Sequence, residues 1–251
     1  MLEIFFIILI IFFVLIFFYK QTVPEFSVLQ IEADKLETLP DILSESHPIV
    51  IRGLGNPKVL TLDVLKGNQR IQTLPVAPPF VLNQYLADPK GKTLHMLPPE
   101  IRKQAAAELG LQVWADHTWF GRIKEDIPYA FTMSLDTEVY MSSMGMRKTT
   151  AAYTLIYPTN GTFTASILME SATKFLPPHW EGQFVAELRP ADCPLLNEVQ
   201  FMDVILRPGH MFIMPPHWIV SLKSSAPQAE IPVFAWIEVH HPISKLASSL
   251  A

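Results

Sequence analysis

The chain has 251 residues, 49% of them hydrophobic and 17% charged, with 22 prolines, 10 glycines and a formal net charge of −5. That length holds one sizeable domain plus an appendage, and low charge with abundant proline excludes a disordered chain and favours a β-rich fold with rigid turns over a helical bundle. No Lys/Arg run or basic-aromatic stripe marks a nucleic-acid interface, and the single cysteine, Cys193, rules out an intramolecular disulfide framework or a cysteine-rich zinc site.

Ile4 to Tyr19, IFFIILIIFFVLIFFY, contains no charge and no helix breaker. As a helix it covers roughly 24 Å, just short of a bilayer core, and Met1 and Leu2 or local thinning close the gap. A cleaved signal peptide is the competing reading, but a basic leading region is lacking, and Lys20-Gln21-Thr22-Val23-Pro24 offers no small-x-small cleavage site. Residues 1–20 therefore read as an uncleaved signal anchor, making this a single-pass membrane protein. Lys20 on one flank and Glu3 on the other place the large domain in the cytoplasm. The sequon Asn160-Gly161-Thr162 matters only if that domain is lumenal.

Residues 21–47 read as a linker with a short helix around Leu36 to Ser44. His47 to Gly53, HPIVIRG, is a compact strand signal. Phe80 to Leu86 reads as a short amphipathic helix. Pro98 to Gly110 is the clearest helix, with proline at its start, Glu100 in the first turn, three alanines and a terminal glycine. It is expected to pack on the outside of a β-barrel. Strands follow at close spacing: Tyr129 to Leu135, Val139 to Ser143, Ala151 to Tyr157, Phe163 to Met169, Phe184 to Leu188, Phe201 to Leu206, Met211 to Met214, Trp218 to Leu222 and Val233 to Val239. The tetrapeptide Pro-Pro-His-Trp occurs twice, at Pro177–Trp180 and Pro215–Trp218.

Phe201 to Ser224, FMDVILRPGHMFIMPPHWIVSLKS, runs as strand, Pro-Gly turn, short apolar strand, Pro-Pro, Trp, strand. That order resembles the last third of a cupin-like, JmjC-type double-stranded β-helix, and the HPIVIRG run resembles the strand that precedes the barrel in the same family. The resemblance covers about Pro48 to Ala251. It implies a mainly β double-stranded β-helix with a few flanking helices, here as a 48–251 domain after the anchor and linker.

The resemblance also implies where iron and 2-oxoglutarate would bind. Fe(II) in such oxygenases is held by two histidines and one carboxylate on one face. The last metal histidine aligns with Val220, and the turn acid with His210. The first two ligands, His-x-Asp, fall at Tyr153 and Leu155, or at Ala152 and Thr154 one residue earlier. The cosubstrate lysine position holds Ser171, with Lys174 three residues later. None of the three metal positions supplies a histidine or a carboxylate in either register, so the resemblance implies a frame that has lost its triad and has neither metal nor cofactor. The expected remnant is a ligand pocket of Tyr153, Leu155, Lys174 and Val220, either packed shut or open to a small ligand or peptide. The leading functional reading is a membrane-anchored binding or scaffold module with a protein partner. One alternative is an active Fe(II)/2-oxoglutarate hydroxylase using His179, His210 and His217. Another is a structural membrane or virion component. His240 and His241 are read as pointing to opposite faces of the last strand, with surface or turn roles for the C-terminal histidines, and Asp203 as facing out of the barrel.

Overall fold

The computed structural model describes residues 6–14, 26–77, 80–87, 97–121, 132–189, 195–225 and 230–242. Its strands are β1 (Leu29–Glu32), β2 (Ile49–Arg52), β3 (Pro75–Ala77), β4 (Phe80–Val81), β5 (Ser134–Tyr140), β6 (Met144–Lys148), β7 (Tyr153–Asn160), β8 (Phe163–Met169), β9 (Phe201–Leu206), β10 (Met211–Met214), β11 (Trp218–Ser224) and β12 (Val233–His240). Six form one sheet in the order β1-β2-β10-β7-β12-β5, and four form a facing sheet in the order β6-β11-β8-β9.

From β5 onward the chain crosses between the two sheets at every connection except the long one from β8 to β9, which pair antiparallel in the same sheet. This winding is a double-stranded β-helix, the cupin-like architecture expected from the sequence. Ladder pairing extends over seven residues between β11 and β8, and over seven between β12 and β5. Both faces of most central strands are buried, so β10 and β11 read as nearly continuous apolar runs rather than alternating ones.

Three layers of apolar side chains explain this. The barrel interior holds Tyr140, Ile156, Phe163, Phe212, Trp218 and Trp236, among others. The outer face of the six-stranded sheet, including Leu155, Ile213 and Ile237, is covered by helices α1 (Leu39–Ser44), α2 (Leu62–Gly67), α3 (Gln69–Gln72), α4 (Leu82–Ala87), α5 (Pro99–Glu108) and α6 (Leu111–Ala115). Loop segments cover Met146, Leu168 and Ile219 on the outside of the four-stranded sheet. Helix α5 is the one expected at Pro98 to Gly110: Pro99 sits at its start, and Gly110 just past its end takes a left-handed φ of 65°. It packs through Ile101 and Ala105 against the layer that holds Leu135 and Val139.

Several expected elements differ. Phe184 to Leu188 is not a strand but a 3-10 turn at Val185–Glu187. The break between β5 and β6 falls at residues 141–143, inside the expected Val139 to Ser143 strand. β1 lies within what reads as linker, and Phe80 to Leu86 begins with the short strand β4. Residues 129–131 and Cys193 lie outside the described residues. Of the N-terminal apolar run, residues 6–14 are described and helical, with side chains 36% to 61% exposed. Among the described residues no helix is long and apolar enough to cross a membrane.

Candidate functional site

The inward faces of the strands converge, at one end of the barrel, on a ring of charge. Side-chain alternation along β12 places Phe234, Trp236, Glu238 and His240 on the inner face, opposite Tyr140, Glu138, Asp136 and Ser134 of β5 in register. The first two pairs are aromatic or buried; the last two reach the rim. Arg147 on β6 closes the ring. Its guanidinium donates to Glu238 Oε1 at 3.0 Å and to the Tyr140 hydroxyl at 2.8 Å, lies 3.5 Å from Glu138 Oε2, and stands 4.8 Å from the Trp236 ring centre.

Glu138 has a second cation. Arg102, on α5, reaches it with Nε at 2.8 Å, and both side chains are almost fully buried. Arg102 also donates to the Leu97 carbonyl at 2.6 Å and covers the Tyr140 ring at 4.4 Å. The helix expected to be inert packing thus supplies a structural charge to the barrel. Glu238 accepts from the Trp236 indole at 2.8 Å, and His240 Nε2 lies 3.2 Å from its other oxygen and 3.4 Å from Asp136.

The electrostatics follow from these contacts. Burial works against ionising Glu238, but the His240 hydrogen bond, the Arg147 charge and the Trp236 indole outweigh it and hold the carboxyl at about 2. Burial dominates at Tyr140 and pushes its phenol up to about 12 despite Arg147. At neutral pH one is ionised and the other protonated, so together they fix charge in place rather than exchange protons.

A second polar group occupies the outside of the same end. Lys148, next to Arg147 and so facing the other way, lies 2.6 Å from Glu170, whose other oxygen is 2.8 Å from His217 Nδ1. Burial raises the Glu170 pKa, but Lys148 and His217 more than reverse it. His217 has φ 68° and His179 φ 63°, so the two Pro-Pro-His-Trp copies share a turn in which histidine takes the left-handed position usually given to glycine. The His217 turn is over-determined: its N–H donates to the Thr149 carbonyl at 2.9 Å, its carbonyl accepts from Glu170 N at 3.1 Å, and the Thr149 hydroxyl donates to the Pro215 carbonyl at 2.8 Å.

The four residues read as a remnant pocket are not brought together. Val220 is fully buried in the barrel interior. Leu155 and Tyr153 belong to the opposite layer, between the six-stranded sheet and the helices. Lys174 is exposed in a 3-10 segment after β8, with its ammonium 4.7 Å from the Phe175 ring centre. The inward residue of β7 is Thr154, which pairs with Glu238 on one side and Met214 on the other, so the one-residue-earlier register is the one facing the interior. Thr154 is fully buried and its hydroxyl has no hydrogen-bond partner.

Valine at 220, threonine at 154 and alanine at 152 do not fit Fe(II): no imidazole or carboxylate is supplied from these positions. Among the described residues no group of three His, Cys, Asp or Glu side chains has the arrangement to hold a metal ion, and His179, His210 and His217 form none. His210 lies in the Pro208-Gly209 turn, where burial and the Arg52 charge lower its pKa. Two histidines differ from the expected surface role: His240 and His217 are only 12% and 17% exposed at the side chain, and each is engaged with carboxylates. Asp203 does face outward, accepting from Ser166 at 2.6 Å. The Asn160 side chain donates to the Ile231 carbonyl at 2.6 Å, so the sequon amide is already engaged.

No family model matches the chain, and no curated protein matches it. Among solved structures it is similar to hydroquinone 1,2-dioxygenase from Sphingomonas sp. TTNP3, solved with 4-hydroxybenzoate bound, at 14% identity over 44% of this chain and 60% of that chain, with a TM-score of 0.28.

Proposed function

We propose that this chain is a membrane-anchored protein of JmjC-like, cupin type in which the iron triad has been replaced, acting as a non-catalytic binding or scaffold module for a protein partner. The observation that carries the reading is the chemistry of the inward residues at the charged end of the barrel. Val220 and Thr154 stand where the resemblance calls for metal ligands, and the carboxylates of the same end, Glu138 and Glu238, are balanced by the guanidinium groups of Arg102 and Arg147. Anchoring rests on the Ile4 to Tyr19 run, whose described part is a helix with its apolar side chains exposed.

The enzyme alternative makes a chemical demand that separates the two readings. A 2-oxoglutarate oxygenase with iron bound turns its cosubstrate over slowly to succinate even without a second substrate. Purified protein supplied with Fe(II), ascorbate, oxygen and 2-oxoglutarate is expected to give succinate only at the rate of a protein-free control. Protein-dependent succinate, abolished by chelation, overturns the proposal. Salt- and carbonate-resistant sedimentation with membranes, lost on deleting residues 1–20, is the expected result for the anchor. A chain that stays in the supernatant sinks that part of the reading.

A further inference from the structure

The helices on the outer face of the six-stranded sheet do not fill all the space beside it. A cavity of about 380 Å³ lies there, across the sheet from the barrel interior, and its walls are described residues throughout. That volume falls in the range of small-molecule sites, roughly 300–1,000 Å³.

Tyr157 enters the wall from β7, Trp114 from α6, and Thr118 and Trp119 from the π-helical turn Asp116–Phe120 that continues α6. Trp114 and Thr118 are four residues apart and share a helix face. A plain α-helix would carry Trp119 further round, and the wider π turn swings it toward them. The Trp114 ring stands edge-on to Tyr157, with centroids 5.8 Å apart and planes at 79°. The loop after β2 supplies the opposite wall and is fixed at two points: Leu54 N donates to the Gly209 carbonyl at 2.8 Å, and the Tyr157 hydroxyl donates to the Gly55 carbonyl at 2.7 Å. The cavity is therefore preformed.

Three aromatic rings and the side chains of Leu36, Leu54 and Val59 make its body apolar. Its polar groups are few. Among the residues lining it Lys58 alone is charged, and among the described residues its ammonium and the side chains of Asn56 and Thr118 have no hydrogen-bond or ion-pair partner. An unengaged cation beside an aromatic body complements a ligand with one anionic end and a flat apolar remainder. An aromatic amine would bring a second positive charge to Lys58, and an aliphatic acid would forgo the ring contacts.

We propose that this cavity binds a small aromatic carboxylate, its rings against Trp114, Trp119 and Tyr157 and its carboxylate toward Lys58, Asn56 and Thr118. The site is separate from the charged end of the barrel, so it stands or falls apart from the scaffold reading.

The test is equilibrium dialysis of the full chain in detergent against 2-naphthoate from about 10 μM to about 5 mM, a span set by ligand efficiency for a molecule of this size, with protein-free micelles as the blank. One saturable site per chain is expected. The neutral 2-naphthamide is expected to bind roughly five- to tenfold more weakly, and Lys58→Gln to remove that difference. Octanoate, which carries the same charge on an aliphatic body, is expected to compete only at roughly three- to tenfold higher free concentration. Thr118→Phe, which fills the cavity, is expected to abolish naphthoate binding, and Lys58→Gln, at an exposed position, keeps the test independent of how that variant folds. No saturable binding above the blank overturns the proposal, as does equal affinity of wild type for naphthoate and naphthamide. Octanoate that competes as well as naphthoate itself, or binding unchanged in both variants, overturns it too.

Discussion

Replacing Arg102 by methionine keeps the bulk of the side chain on α5 but strands Glu138, whose side chain is 7% exposed, with one remaining cation, Arg147, at 3.5 Å. Breaking a buried ion pair from one side costs about 3–5 kcal/mol because the remaining charge stays desolvated. Arg147 offsets part of that loss, so the lower end, about 3 kcal/mol, is the expected destabilisation. In a domain of this size that lowers the thermal midpoint by roughly 6–12 °C, read by circular dichroism or calorimetry. Adding Glu138→Gln removes the stranded charge, and the double variant is expected to recover about 1–2 kcal/mol relative to Arg102→Met alone. A single variant within about 1 kcal/mol of wild type, or a double variant that simply adds the two losses, refutes the reasoning.

Val220→His places an imidazole in the fully buried barrel interior, in register with the Arg147 cation, and is expected to cost about 2–4 kcal/mol in denaturant unfolding while leaving iron unbound. For Glu238 the folded pKa, about 2, lies below the ordinary carboxylate value of 4.5. Its contribution to stability is therefore present above pH 4.5 and lost as pH falls toward 2, and Glu238→Gln is expected to flatten the acid limb of a stability–pH profile between those limits. Gly145 has no room for a side chain, because a Cβ there would fall inside the Gly182 backbone. Gly145→Ala is expected to push the loop from Trp180 to Gln183 off the β6 edge, seen as faster hydrogen exchange at Met146 and Gly182.

The barrel was legible where strand chemistry and punctuation agree. Apolar runs bounded by Pro-Gly and Pro-Pro mark β9, β10 and β11 to within a residue or two, and Asn160-Gly161 marks the β7–β8 turn. The β5–β6 break was not legible, because Met141-Ser142-Ser143 contains neither Gly nor Pro, and β6 itself, MGMRK, has little intrinsic strand preference. Its partners, β11 and the Gly182 loop, make it a strand.

Residues of β7 illustrate how a period of two punishes a small slip. Placing the ligand positions at Tyr153 and Leu155 put them on the helix side of the sheet; one residue's shift brings Thr154 inward. The rim charges carried a signal that could have been read: on β12 the alternation Phe234, Trp236, Glu238, His240 turns from aromatic to charged along one face, which marks that face and that end as the barrel mouth. Arg102 carried no such signal. Its partner Glu138 lies 36 positions away and on a different element, a pairing that only the folded chain creates.

Anaerobic titration of the purified full chain with Fe(II), with and without 2-oxoglutarate and followed by absorption and by metal content after gel filtration, tests the replaced triad most directly. No stoichiometric iron and no cosubstrate-dependent visible band are expected. One iron per chain with such a band contradicts the replaced triad, and means that ligands converge from residues other than those facing the barrel mouth at 152, 154 and 220.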